Sequence, residues 1–169
     1  MRGSGDGWVR CAAGHRHWGR YGAAGLLLRH RPVADAPLVL LQHRALWSHH
    51  GGTWGLPGGA RDRDETAVAA ALRETSEETT LDIGVLRVLH SYADEHGGWS
   101  YTTVVAEIDD LSRVDTRGAE GLSMRWVPEH EVPDLPLHPG FAATWPTLSE
   151  APIPAPPADQ SHRDGLRRG

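Results

Sequence analysis

Apolar residues along this chain fall in short runs separated by Gly, Pro and polar clusters, a rhythm of strands broken once by a helical segment. The run Ala23, Ala24, Leu26, Leu27 and Leu28 predicts a long buried first strand over Trp18 to His30. Two prolines and an Asp between Arg31 and Pro37 predict a turn, and Leu38 to Leu41 a second strand, so the two pair as a hairpin. A loop rich in His, Gly and Trp follows from Ala45 to Gly55. Asp64 to Thr79 holds strong helix formers and neither Gly nor Pro, which predicts a helix. Further strands are expected at Leu86 to Ser91, Tyr101 to Ile108 and Met124 to Val127, with a turn at Glu95 to Gly98. A short closing helix is expected over Phe141 to Leu148 despite Pro146. The pattern divides the chain into an N-terminal extension (1–17), one domain (18–149) and a Pro-rich tail (150–169) expected to be extended or disordered.

Composition narrows the function classes. With 169 residues, 39% hydrophobic and 23% charged, the chain fits one globular α/β domain. A net charge of -5 gives no basic surplus for holding a nucleic-acid duplex. The apolar runs are far below the ~18 residues of a membrane helix, so no membrane partner is expected. The single Cys11 cannot form an intramolecular disulfide, and no apolar leader follows Met1, so a cytoplasmic location is expected. Lys and Asn are absent from the sequence, so any phosphate clamp uses Arg or backbone amides.

The chemistry lies in the segment GGARDRDETAVAAALRETSEETTL from Gly58. Glu74, Glu77 and Glu78 stand at helical offsets i, i+3 and i+4, which puts three carboxylates in one sector near the negative end of the helix dipole. That placement costs stability unless a divalent cation neutralises it, and hard carboxylate oxygens suit Mg²⁺ or Mn²⁺. Ala67 and Ala70 on neighbouring turns are expected to leave room for a phosphate, and Val68, Ala71, Leu72 and Thr75 to pack on the sheet.

At these residues the chain resembles the Nudix hydrolase family of the MutT type. Gly59, Glu65, Arg73, Glu74, Glu77, Glu78 and Leu81 match the family box at the required spacings, after a similar WGLPGG stretch. Thr75 replaces the usual aliphatic residue and Thr80 the second Gly, which predicts a reshaped helix exit. The resemblance implies an α/β/α sandwich with a mixed sheet, and metal-dependent hydrolysis of a nucleoside diphosphate linked to another moiety. It implies Glu77 and Glu78 as primary metal ligands, Glu74 as a ligand directly or through water, and the Gly58 carbonyl as another. Glu65 would pair with Arg73, which orients the cluster. The alternative is a Nudix-fold module that senses a nucleotide without turnover.

Outside the box, Glu120, between Gly118 and Gly121, is a candidate general base, with Glu95 as its rival. Arg44, Trp47 and His138 are candidate substrate contacts; His138 stands where oxidised-guanine enzymes of this type use an Asn to read the base. Trp18 and Trp126 are expected in the core, and Trp54 and Trp99 on loops. Cys11, His15 and His17 lack a fourth ligand at zinc spacing. The Pro-rich, zinc-module and coenzyme A signatures of other subgroups are missing, which favours a nucleoside triphosphate or another small nucleotide. The partner is then a nucleotide, and the protein a monomer or homodimer.

Overall fold

The computed structural model describes residues 3–79, 81–111 and 123–150. Its strands are β1 (Trp8–Arg10), β2 (Arg16–Trp18), β3 (Ala23–His30), β4 (Leu38–His43), β5 (Trp54–Gly55), β6 (Gly58–Ala60), β7 (Arg87–Glu95), β8 (Ser100–Glu107) and β9 (Ser123–Pro128). The helices are α1 (Ala67–Glu78) and α2 (Pro139–Glu150).

β3 is the axis. It pairs antiparallel with β4 and β6 and parallel with β8, so the sheet is mixed, in the order β5-β4-β3-β8-β7 with β9 on β4. Every residue of β3 from Ala23 to Arg29 is buried, because both faces of the strand are covered. On one face Ala24, Leu26 and Leu28 pack with Ala70 and Ala71 of α1; on the other Leu27 packs with Phe141, Trp145 and Leu148 of α2. This is the expected α/β/α sandwich. Ala70 and Ala71 present only methyl groups, which brings α1 close to the sheet and fixes the height of the residues beside it.

Several expectations need correction. The first strand is not continuous from Trp18: Gly19 and Gly22, both at positive φ, break it, and Arg16–Trp18 pairs instead with Trp8–Arg10 in a separate hairpin. Trp18 is therefore 44% exposed instead of being core, while Trp126 is partly buried against the α1-side cluster. Ala70 does not flank the carboxylates; it is fully buried against the sheet, whereas Ala67 is only partly buried. α2 tolerates Pro146 because the proline is exposed, and the buried Phe141, Trp145 and Leu148 recur on one face at offsets of four and three. The tail from residue 151 lies outside the described residues.

One buried ion pair ties the two ends of the domain together. Arg29, fully buried at the end of β3, pairs with Glu129 at 2.8 Å and donates from Nη2 to the Leu148 carbonyl of α2 at 2.9 Å. Removing the carboxylate strands a buried cation. Glu129→Ala is expected to lower unfolding free energy by about 3 kcal/mol, measured by denaturant titration.

Candidate active site

α1 begins at Thr66, whose hydroxyl accepts from the Ala69 amide at 3.1 Å, and carries Arg73 about two turns further on. Arg73 is a hub. Its Nε and Nη2 donate to the two carboxylate oxygens of Glu65 at 2.9 and 3.0 Å, Nη1 to Glu74 at 2.8 Å, and Nη2 to the Ala60 carbonyl at 3.0 Å. Glu77 lies 3.5 Å from Nη1. These charged partners raise the Arg73 pKa further, with Glu65 the largest contributor. The expected Glu65–Arg73 pair is thus present, and it pins the loop before α1 to the helix. The same loop is fixed again where Glu65 accepts from the Asp62 amide at 2.9 Å.

The three helix carboxylates have different surroundings. Glu77 is 59% exposed. Glu74 is partly buried, and its pKa is raised mainly by that burial and further by the charges of Glu77 and Asp6, against the lowering effect of Arg73. A Cβ on Gly59 would lie 2.5 Å from the Glu74 carboxylate, so only glycine lets that carboxylate lie against β6. Glu78 is the most perturbed: burial pushes its pKa up to about 7, despite hydrogen bonds from the Gln42 side chain and the Gly58 backbone and the nearby Arg44 charge. Glu78 Oε2 is buried and has no hydrogen-bond partner.

One departure from the family box, Thr75, falls where its hydroxyl serves the helix. Thr75 is fully buried, but its Oγ1 donates to the Ala71 carbonyl at 2.7 Å, so it replaces an aliphatic residue without an orphaned polar group. At the helix exit Thr79, in an extended conformation, donates to the Thr75 carbonyl at 2.6 Å and accepts from the Leu81 amide at 3.1 Å. Thr80 lies outside the described residues.

The donor set fits a hard divalent cation by its chemistry: carboxylates beside the backbone at Gly58, with one carboxylate oxygen buried and unpartnered. Among the described residues no three His, Cys, Asp or Glu side chains already converge as a ligand group. Arg73 engages two of the helix carboxylates, Glu74 at 2.8 Å and Glu77 at 3.5 Å.

Arg44 lies just beyond β4, with Nε and Nη2 donating to the His49 carbonyl at 3.2 and 3.0 Å, and its charge acts on Glu78, Tyr101 and His138. His138 sits before α2, its amide bonded to the Trp54 carbonyl at 2.8 Å and its ring edge-on to His50. Burial, with the nearby Arg44 and histidines, lowers the His138 pKa to about 4. Trp47 is 86% exposed, so the loop does not bring it into a packed site. Trp54, expected on a loop, is instead part of β5 and packs on the α2-side cluster, while Trp99 donates to the Gly19 carbonyl at 2.9 Å and stacks on His17, anchoring its loop. Glu95 ends β7, exposed, and lines a different cleft with Arg20 and Trp99. Glu120 lies outside the described residues.

Three residues near the carboxylates escaped the sequence reading. Gln42 is buried on β4 and bonds Glu78. Tyr101 reaches across β3, where a Cβ on Gly25 would lie 2.0 Å from its hydroxyl, and burial raises its pKa. Asp6 lines the Glu74 cleft. The polar Gln42 after an all-apolar strand run was a usable signal; the other two depend on tertiary placement.

Comparisons with known proteins agree with this geometry. The family profile described as NUDIX domain matches residues 20–164. The chain is 54% identical over 165 residues to a Mycobacterium tuberculosis protein named "Putative 8-oxo-dGTP diphosphatase 3", covering 92% of this chain and 74% of that protein. It is 42% identical to a Bifidobacterium longum nucleoside triphosphate pyrophosphatase/Nudix hydrolase fusion protein, over 86% of this chain and 31% of that one. In structure it is similar to the Nudix hydrolase RenU from M. smegmatis, with a TM-score of 0.81, 47% identity, and coverage of 90% of this chain and 100% of that one. The chain belongs to the Nudix hydrolase family, and it is a pyrophosphohydrolase.

Burial of Glu78 has a sign that a pH titration reads. A raised folded-state carboxyl pKa favours proton uptake by the native state, so stability from this group is greatest at low pH and is lost as pH rises from about 4.5 to about 7. In metal-free buffer with chelator, Glu78→Gln is expected to gain on the wild type between pH 5 and pH 8, by up to roughly 3 kcal/mol. Denaturant titrations at the two pH values measure it; a constant difference between the proteins would be the opposite result.

Proposed function

We propose that this enzyme hydrolyses the diphosphate linkage of a nucleotide or nucleoside diphosphate derivative, by attack of water at phosphorus with Mg²⁺ or Mn²⁺. The observation that carries the reading is the carboxylate set on α1, intact at Glu74, Glu77 and Glu78, with Glu74 and Glu77 engaged by Arg73 and Glu78 Oε2 buried and unpartnered. The cation would be held by Glu77 and Glu78, by Glu74 directly or through water, and by the Gly58 carbonyl. Bound there, it supplies charge neutralisation on phosphoryl oxygens and a lowered pKa for its water.

The remaining roles belong to the chain. Glu65 and Arg73 keep α1 and the loop before it in fixed relation, so the helix that carries the carboxylates is held in place. Arg44, whose charge acts on Glu78, would take phosphate charge. His138, neutral at pH 7, reads a base edge by hydrogen bonding and not by charge. Trp47, exposed on its loop, offers a stacking face to a base that enters. Glu120 is our choice for the group that accepts the proton of the attacking water.

The name of the M. tuberculosis relative supports putting oxidised guanine nucleotides first among substrates. A nucleotide-sensing module without turnover would need no intact carboxylate set, which disfavours that reading.

Purified full chain incubated with Mg²⁺ or Mn²⁺ and a panel of nucleoside di- and triphosphates, oxidised guanine forms included, is expected to release phosphate or diphosphate identified by product mass. Glu77→Gln should lower turnover by ~10² or more, and Glu120→Gln by ~10² with unchanged melting temperature. Glu95→Gln should leave turnover unchanged. No turnover on any member, or full activity of Glu77→Gln, overturns the reading; activity lost in Glu95→Gln and kept in Glu120→Gln moves the base to Glu95.

A further inference from the structure

His50, on the loop between β4 and β5, stands edge-on to His138, with ring centroids 4.8 Å apart and an interplanar angle of 86°. His138 is held at two further atoms. Its amide donates to the Trp54 carbonyl at 2.8 Å, and its Nδ1 accepts from the Gly140 amide at 3.2 Å. An Nδ1 that accepts leaves the proton of the neutral ring on Nε2, so His138 presents one donor for an acceptor on a base edge. How well that donor is aimed depends on what fixes the ring, and His50 is packed against it.

The backbone of His50 is strained. Its φ is 55°, in the left-handed region that residues with a side chain enter at a cost, and among the described residues only Asp64 is another non-glycine there. The His50 side chain is exposed, so burial of apolar surface does not offset that cost. The surroundings impose the conformation instead. The Thr53 hydroxyl donates to the His50 carbonyl at 2.6 Å, and the Gly51 amide donates to the Ser48 carbonyl at 2.9 Å. His49 is pinned twice: its carbonyl accepts from Arg44 Nε and Nη2 at 3.2 and 3.0 Å, and its ring lies 5.2 Å from Trp8 and 4.0 Å from His50. Trp8 belongs to the β1–β2 hairpin, which precedes the family match at residue 20, and the Arg16 guanidinium lies over its ring at 4.7 Å. A row of rings thus runs from that hairpin through His49 and His50 to His138. Strain kept under an exposed side chain points to a role at a site and not to packing.

We propose that His50 is a positioning residue for nucleobase recognition: its ring, braced by His49 and by Trp8 of the N-terminal hairpin, holds the His138 imidazole in the orientation that offers Nε2–H to an acceptor on the base edge. The inference rests on the base-reading role of His138 given above.

The test is steady-state hydrolysis of 8-oxo-dGTP and dGTP by the full chain with Mg²⁺, with melting temperatures measured beside it. His50→Gly removes the ring and relieves the left-handed backbone. It should raise KM for the better substrate by about threefold or more, the scale of one lost ring contact, with kcat within about twofold and a melting temperature unchanged or higher. His50→Asn, which also tolerates that backbone, should match it, whereas His50→Phe, which keeps a ring, should stay within about twofold of the wild type. Trp8→Ala should raise KM in the same direction, by about twofold or more. In a His138→Ala background His50→Gly should add less than about twofold, since no ring is left to orient. An unchanged KM in His50→Gly, while His138→Ala raises it, overturns the role of His50 and leaves the base-reading role of His138 standing. A KM rise of equal size in both backgrounds, or the same rise in His50→Phe, also overturns the role of His50. An unchanged KM in His138→Ala, or no turnover of either nucleotide by the wild type, overturns the base-reading role and this inference with it.

Discussion

The arrangement of the site depends on one guanidinium. Arg73 joins the loop carboxylate of Glu65, the β6 carbonyl of Ala60 and the helix carboxylate of Glu74, so three separate pieces of chain share a single planar fork. A Lys at this position would supply the charge but not the geometry, since a point ammonium cannot hold two oxygens of Glu65 while also reaching Glu74 and a carbonyl. The fork also engages two carboxylates of the helix, holding Glu74 and attracting Glu77.

That fork is useful only because α1 sits at a fixed height over the sheet. Ala70 and Ala71 allow close approach to Ala24, Leu26 and Leu28, and β3 is buried on both faces between α1 and α2. Glycines then open the gaps that the site needs. Gly59 leaves space for the Glu74 carboxylate, and Gly25 leaves space for the Tyr101 hydroxyl. Small residues set the distances here, and large apolar ones hold them.

The hairpin of β3 and β4 and the helix with its carboxylates are legible in local periodicity and spacing, whereas the sandwich and the Glu65–Arg73 pair follow only from the family resemblance of the box, since both join segments that periodicity treats separately. Trp18 is not legible, because the signal for a break is two glycines, Gly19 and Gly22, inside an otherwise strand-like run; their positive φ turns the chain and leaves the indole at the surface. Ala70 is ambiguous because Ala carries no preference between a packed face and an open one. Helical angle alone puts Ala70 and Glu74 in one sector, but the sheet covers the short Ala70 methyl, while the longer Glu74 side chain carries its carboxylate to Gly59 on β6. Asp6 is invisible for a different reason: nothing in a small, polar leader indicates that its neighbours' backbone groups dock more than fifty residues away, on the Arg61 to Arg63 stretch.

Thr75 and the cap residue Thr79, on one hand, and the partly buried Glu78, on the other, illustrate opposite ways of placing polarity at the end of a packed helix. Thr75 and Thr79 turn their hydroxyls back onto the carbonyls one turn earlier, at 2.7 and 2.6 Å, so each is satisfied without help from outside the helix. Glu78 has only partial help, from Gln42 and Gly58, and retains a buried oxygen with no partner. A fold selected for stability alone would place an apolar residue there, since a partly satisfied buried carboxylate is worse than none. Its retention fits a site whose missing partner arrives with the substrate complex, and it places the cost of function at one identifiable atom, Glu78 Oε2.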